Sequence, residues 1–367
     1  MSFNIDEEWE DFMNGNQMEE IDDNNNSDEN IINNANIISA NIVNELCPKA
    51  SDIYISTKTN ISYLNTTIDL KNIFWDIPVI SYGNPICGVV KKQMKFNSLT
   101  IEELDFIQEK LKNELCVEEN IITNINNPNG RIKFKDIRKV SIGISQKDLT
   151  SYRCKKKSAF YNCFVVIIRI KYKQKFKEFH VKVFNTGKLE IPGIQSDESF
   201  NDILNMIIAI LQPHISKKLE YKPDSTETVL INSNFNCGFY INRETLFDIL
   251  KTKYNLQCIY DPCSYPGIQC KFYYNPKDEI QTGVQLSSQQ IKTMDSIINV
   301  SFMIFRTGSV LIVGKCQESL LITIYEFLKN ILIDEFKYIG VKLIETDEIN
   351  NKPKKKKNRV KHIMVSM

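Results

Sequence analysis

Residues 181–193 read VKVFNTGKLEIPG, and residues 302–314 read FMIFRTGSVLIVG. In each, an alternating strand leads to an aromatic residue, Phe184 or Phe305, with Thr-Gly two and three positions on and a second alternating strand ending in Gly. The two aromatics stand 121 residues apart, and each segment runs on into an apolar-periodic stretch, Phe200 to Leu211 and Leu320 to Leu332. At an offset of 120, Ser199 meets Ser319, Leu204 meets Ile324, Ile207 meets Phe327 and Ile208 meets Leu328. A strand–turn–strand–helix unit used twice predicts a duplicated fold with pseudo-twofold symmetry.

Working outward, Ile53 to Leu70 reads as an extended stretch entering a short helix capped by Asp69. Pro78, Gly83 and Pro85 mark loops before a strand, and Ile101, Leu104, Ile107 and Leu111 predict a helix capped by Ser98 or Thr100. NINNPNG (124–130) is a turn signal, and Cys163 to Tyr172 is a strand. The second unit has a strand from Val229 to Asn236, a helix from Arg243 to Tyr254, the turn YDPCSYPG (260–267) and a strand from Ile268 to Tyr274. The expected architecture is α+β: two pseudo-symmetric repeats, each a curved antiparallel sheet with helices on one face. Repeat one spans 51–212 with an insertion at about 94–152; repeat two spans 225–345 with one at about 275–298.

Period two assigns the faces of the hairpins. Phe179, Val181 and Val183 alternate with His180, Lys182 and Phe184; Phe302 and Ile304 alternate with Ser301, Met303 and Phe305. The first set suits packing on helices. The second mixes cations and small groups with a terminal aromatic, which either tucks over the core edge or stands exposed for a ligand.

The chain has 367 residues and a formal net charge of +1, but its charges are segregated. Residues 1–36 are acidic and Asn-rich, whereas 351–367 carry Lys354 to Lys357 and Arg359 without an acid, so both ends are expected to be disordered tails. No secretory leader and no apolar run of membrane-spanning length is visible, and ten cysteines then read as reduced thiols. Cys258, Cys263 and Cys270 lack the paired spacing of a zinc site, so no metal and no cofactor is expected. His180, His214 and His362 form no nucleophile–base pattern, and phosphate-cradling or nucleophile-elbow motifs are absent, so an enzyme is not expected.

Taken in order, these residues resemble the TATA-box-binding protein family. Val183-Phe184-Asn185-Thr186-Gly187-Lys188 and Ile304-Phe305-Arg306-Thr307-Gly308 resemble that family's apolar-Phe-x-Ser-Gly-Lys turns. Tyr260-Asp261-Pro262 with Tyr265-Pro266-Gly267-Ile268 resembles its Tyr-Glu-Pro and Phe-Pro-Gly-Leu, and Ile68-Asp69-Leu70-Lys71 resembles its Leu-Asp-Leu-Lys run. The resemblance implies a diverged relative encoded by a large DNA virus. It also implies a transcription initiation factor whose sheet straddles the minor groove of AT-rich promoter DNA. In that family aromatic plates wedge between base steps and kink the duplex by about 80°.

Carried over, the resemblance makes Phe184 and Phe305 the hairpin wedges and Tyr265 the second wedge of repeat two. The partner in repeat one falls on Cys163 or Phe164, of which Phe164 is preferred. Arg169 and Lys271 take the place of the family's strand cations and Lys188 of its turn lysine; Lys182 and Met303 complete the DNA-binding set. Asn60 and Asn232 are candidates for central base contacts. Implied partners are double-stranded DNA and general transcription factors or RNA polymerase, with no membrane, a monomeric state, and a location in a viral factory, the nucleus or the virion. Departures favour an alternative, a scaffold that keeps partners but binds DNA weakly: Pro192 and Val313 replace the groove-facing Thr, Glu190 replaces a Val, and Ser309 replaces a turn lysine. The acidic tail, with Trp9 and Phe12, reads first as a solvated extension or a docking peptide for another protein, and as an alternative it competes with DNA for the sheet.

Overall fold

Both quoted segments fold as hairpins closed by the same turn. Gly187 N–H donates to the Phe184 carbonyl and Gly308 N–H to the Phe305 carbonyl, each at 3.0 Å. Both glycines have left-handed φ, 82° and 81°. A Cβ would lie 2.3 Å from a backbone oxygen at either site, that of Thr66 or of Phe239. The repeated Thr-Gly is therefore a backbone requirement that only glycine meets.

The computed structural model describes residues 46–150, 161–172, 174–222, 224–294 and 296–341. The two tails lie outside these residues, and with them the expected role of the acidic tail. Unit one comprises β1 (Tyr54–Tyr63), α1 (Leu70–Asp76), β2 (Gly88–Ser98), α2 (Ile101–Leu111), β3 (Val117–Asn126), β4 (Phe134–Gly143), α3 (Gln146–Thr150), β5 (Cys163–Tyr172), β6 (Lys175–Phe184), β7 (Lys188–Ile194) and α4 (Asp197–Leu211). Unit two comprises β8 (Glu227–Asn236), β9 (Tyr240–Ile241), α5 (Arg243–Thr252), β10 (Gln257–Ile259), β11 (Ile268–Tyr274), α6 (Ser288–Thr293), β12 (Ile298–Ile304), β13 (Ser309–Gly314), α7 (Glu318–Asp334), α8 (Phe336–Ile339) and β14 (Gly340–Val341).

One 12-stranded sheet runs β10-β11-β12-β13-β8-β1-β7-β6-β5-β2-β4-β3, and neighbouring strands in it pair antiparallel. The order is symmetric about the β8–β1 junction: β1, β7, β6, β5 and β2 mirror β8, β13, β12, β11 and β10. The insertion breaks the symmetry. Its hairpin β3–β4 pairs with β2 and lengthens the edge of unit one by two strands, with no counterpart beyond β10.

All helices with buried faces cover one side. Asp69 caps α1 by accepting from Asn72 N–H, and Thr100 caps α2 by accepting from Glu103 N–H. Ser196 and Asn242 cap α4 and α5 in the same way. The face of α4 made by Phe200, Ile203, Leu204, Ile207 and Leu211 joins Phe164, Val181, Val183, Leu189 and Ile191 in one core. The matching face of α7, with Leu320, Leu321, Ile324, Leu328, Ile331 and Leu332, joins Ile268, Phe302, Ile304, Val310 and Ile312 in a second. Each buried Leu, Ile or Phe contributes about 1.5–3 kcal/mol relative to exposure, so burial on this scale fixes which face turns inward.

The inserted hairpin is anchored by charge as well as by Ile107 and Leu111 of α2. Arg138 donates to Asp136 through Nε and Nη2 (2.6 and 2.8 Å) and to Glu119 through Nη1 (2.5 Å). Lys92, 1% exposed, donates to the carbonyls of Trp75 and Ile77 and to Glu114. Burial pulls its pKa down, opposed by the Glu114 charge. Buried ions of this kind hold only while every partner stays in place.

Candidate nucleic-acid interface

The opposite side of the sheet carries none of the core-forming helices. Only α3 lies over it among the described residues, at the far end of unit one, where Asp148 accepts from Lys91 Nζ (2.8 Å) and Gln146 N–H donates to Glu178 (2.7 Å). Strand register decides what the rest displays. In unit two, Met303 pairs with Leu311, Leu311 with Asn234, and Asn234 with Tyr54, so these side chains form one row. Met303, Leu311 and Val313 form a small apolar cluster on this face, with Leu230, Tyr265 and Phe305 packed against it. The Tyr265 and Phe305 rings lie 5.9 Å apart at 60°, and the Tyr265 hydroxyl donates to Met303 Sδ at 3.3 Å. Gly267 permits this approach, since a Cβ there would sit 3.1 Å from both rings. Met303 is fully buried, covered by aromatics and not by a helix.

In unit one the equivalent row is ionic. Lys182 pairs with Glu190, and Glu190 with Ile61. Lys182 Nζ lies 2.5 Å and Lys188 Nζ 3.7 Å from the Glu190 carboxylate, which is 5% exposed. Lys188 Nζ also sits 5.1 Å from the centroid of the Phe184 ring. Phe184 pairs with Cys163 on this face and is half-buried, as is Phe305. Burial pushes the Cys163 thiol up to about 11, against the pull of the Lys182 charge, so it is no nucleophile.

Three expectations are corrected. Phe164 is not an exposed wedge: it is 0% exposed and packs edge-on to Phe74, 6.4 Å between centroids, under the helices. It pairs with Val183 as Ile268 pairs with Ile304, so Phe164 is the counterpart of Ile268, and a one-residue shift reverses the face of a strand residue. Arg169 lies on the open face, but its guanidinium is committed to protein. Nη1 donates to the carbonyls of Tyr82 and Asn84 (3.0 and 3.1 Å), Nη2 to Glu178 (3.5 Å), and the group stacks on Tyr82. Nor is Arg169 equivalent to Lys271: Lys271 pairs with Ser301, whose counterpart His180 pairs with Ile167. Asn60 is buried and accepts from the Thr228 hydroxyl; it pairs with Ile191, a residue of the helix-side core, so it does not face the open side.

Asn232 does lie on the open face, between Val313 and Thr57, and its Oδ1 is buried without a hydrogen-bond partner. Lys271 is there too, half-buried on β11. The register also reveals an aromatic that sequence reading missed. With Phe164 aligned to Ile268, Tyr161 takes the position of Tyr265. Tyr161 is 54% exposed, and Lys95 Nζ lies 3.5 Å from its ring centroid. The signal was present in the chain, as Tyr161-Asn162-Cys163-Phe164 against Tyr265-Pro266-Gly267-Ile268. The cysteines Cys258 and Cys270 are cross-strand neighbours with Sγ atoms 2.9 Å apart, and no group of three or more potential metal ligands occurs among the described residues. No helix among them is long and apolar enough to cross a membrane.

No family model matches the chain. Among solved structures, TBP of Methanococcus jannaschii is matched at 13% identity and a TM-score of 0.38, covering 78% of this chain and 99% of that one. Among curated proteins, a "TATA-box-binding protein-like" protein of Acanthamoeba polyphaga mimivirus is 27% identical over 194 residues, which make up 50% of each chain. The chain spans about half the length of this curated relative. In sequence, then, the chain is similar to a TATA-box-binding-protein-like protein of a giant virus, the kind of relative implied by its two Phe-x-Thr-Gly turns and its Tyr-Pro-Gly.

Proposed function

We propose that the chain is a transcription factor that binds AT-rich promoter DNA through the open face of its sheet and bends it with aromatic wedges. The observation that carries this reading is the Tyr265–Phe305 pair, two rings 5.9 Å apart on a face where no helix needs them. Phe184 and Tyr161 hold the equivalent positions in the other unit, each beside a lysine, Lys188 and Lys95. A flat apolar plate can replace the stacking lost when a base step opens, and an apolar floor of Met303, Leu311 and Val313 suits the walls of a minor groove. Lys182, Lys188 and Lys271 supply cations for phosphates. The opposite, helical side presents exposed Ile322 and Ile333 of α7 to protein partners, general transcription factors or RNA polymerase. In this reading the protein is a non-enzymatic monomer that works wherever viral promoters are read, in a cytoplasmic viral factory or the nucleus.

A second reading, a scaffold with weak DNA binding, draws on Glu190 and Arg169. An anion sits in the centre of the unit-one face, and a cation expected to meet phosphate is held by backbone carbonyls. Fluorescence anisotropy on AT-rich and GC-rich duplexes, at two salt concentrations, separates the readings. Submicromolar binding with an AT preference supports the factor; millimolar binding to both leaves the scaffold.

A further inference from the structure

The inserted hairpin makes the open face unequal at its two ends. Beyond β5 of unit one the sheet continues through β2, β4 and β3, whereas beyond β11 of unit two it stops at the three residues of β10. On the open face β10 offers Gln257 and Ile259, both neutral. The extension of unit one offers Lys95, Lys135 and Lys139, with Glu118 as the acidic group in register on that face. Lys95 and Lys139 pair directly across β2 and β4.

These cations gather at one end of the strands. Strand direction brings the β3–β4 turn to the same end as the β6–β7 turn, and that turn carries Arg131 and Lys133 with no acid between Asn127 and Lys133. Phe184 and Tyr161 stand at this end, and Tyr161 lies beneath the Lys95 ammonium. From β6 outward to β4 is three strand spacings, about 14 Å. That is the length of about four base-pair steps.

We infer that the inserted hairpin is a DNA-flank clamp: Lys95, Lys135 and Lys139 contact the phosphate backbone of duplex just outside the unit-one aromatics, and so orient the protein on a nearly symmetric site. The inference rests on the proposed DNA binding. The partner is a polyanion because the patch is cationic over several strands; it is duplex DNA because the patch continues the face that carries the wedges.

The test uses the full chain and a double variant, Lys95→Gln with Lys139→Gln, on two AT-rich duplexes, one ending at the bend site and one extended by about six base pairs at each end. For the parent protein the extension should raise affinity at least tenfold. It should also steepen the plot of log affinity against log salt by about 2.7, at about 0.9 for each of three phosphates, of which about 1.8 belongs to Lys95 and Lys139. Hydroxyl-radical footprints should reach further on one side of the bend than on the other. The double variant should lose most of the gain and the asymmetry of the footprint, with an unchanged unfolding midpoint. A symmetric parent footprint, or an extension effect that survives the substitutions, overturns the clamp while leaving DNA binding intact. Failure to bind either duplex removes the DNA reading itself, and the clamp with it.

Discussion

Lys182 and Glu190 occupy in unit one the places that Met303 and Leu311 occupy in unit two. Around these pairs the backbone is the same: a hairpin closed by a left-handed glycine, an aromatic at its corner, a helix behind it. The chemistry of the open face is opposite. In unit two that face is a sealed apolar floor, and a ligand would gain dispersion and base stacking there. In unit one it is an ion pair with a second lysine at 3.7 Å, and a phosphate would have to compete with Glu190. A duplicated fold constrains only the face on which its cores are built; the other face is open to diverge. The helix-side positions show the constraint, since Val183, Leu189 and Ile191 of one core correspond to Ile304, Val310 and Ile312 of the other.

The largest expected effects belong to the shared face. Phe164→Ala removes a fully buried ring and should cost about 3–5 kcal/mol in denaturant unfolding. Ile268→Ala, its counterpart, should cost about 2–5 kcal/mol. Tyr161→Ala, three residues away on the open side, should change stability by no more than about 0.5 kcal/mol. If Tyr161→Ala destabilises as much as Phe164→Ala, the equivalence of Tyr161 with Tyr265 is wrong.

Next come the wedges. Base–aromatic stacking is worth about 1–3 kcal/mol per base. Phe305→Ala should therefore weaken DNA binding by about ten- to a hundredfold and relax the bend seen by end-labelled energy transfer. Phe184→Ala should do less, because in unit one the neighbouring contacts are ionic and survive it. Equal losses from the two substitutions would mean that the difference between the faces has no bearing on DNA.

The fold was legible because periodicity and turns carry it. The two Phe-x-Thr-Gly segments fixed the hairpins, the expected strands at Cys163–Tyr172 and Ile268–Tyr274 are those observed, and Asp69 and Thr100 cap their helices. The site was less legible, for reasons of register. Phe164 was misassigned because a one-residue gap reverses a strand's faces, and Asn60 because bulges in β1 shift its pairing between Lys58 and Asn60 and again between Thr59 and Asn60. Arg169 was misread because the loop carbonyls that hold it are more than eighty residues earlier, beyond any local pattern. That the inserted segment would add strands to the sheet was equally invisible, since β3 is largely exposed and lacks a clean alternation.

The inserted hairpin and the short edge of unit two should also part in acid. Hydrogen bonds from Arg138 hold the Asp136 carboxyl below its ordinary range despite burial. A depressed folded pKa contributes stability that is present above the unfolded value, about 3.9, and is lost as pH falls through the folded value. Amide protection in β3 and β4 should therefore fall below about pH 4. In unit two, burial pushes Glu335 up but bonds from Lys253 and Tyr254 hold it below its usual range, so α8 loosens in the same window while β10 and β11 do not. Hydrogen exchange at pH 5 and pH 3 resolves these segments, and Asp136→Asn should flatten the response in the hairpin alone. Uniform loss across the sheet would show that the edge is not a separate acid-sensitive element.

The smallest effect is the most direct probe of the contrast between the faces. Glu190→Gln keeps the shape of the side chain but removes the anion that Lys182 and Lys188 share. Both lysines can then turn to phosphate, and the plot of log affinity against log salt should steepen by up to about 0.9 per additional phosphate neutralised. Affinity at low salt should rise severalfold, with little change in AT preference, because phosphates position a protein but carry no sequence information. The converse change, Leu311→Glu, puts an anion into the apolar floor of unit two with no lysine in the Met303 position to meet it. It should weaken DNA binding and stability together, since a buried charge without a partner is strongly disfavoured. If Glu190→Gln leaves the salt slope unchanged, the ion pair does not compete with phosphate. Unit one would then owe its charge to folding alone, and the scaffold reading would gain.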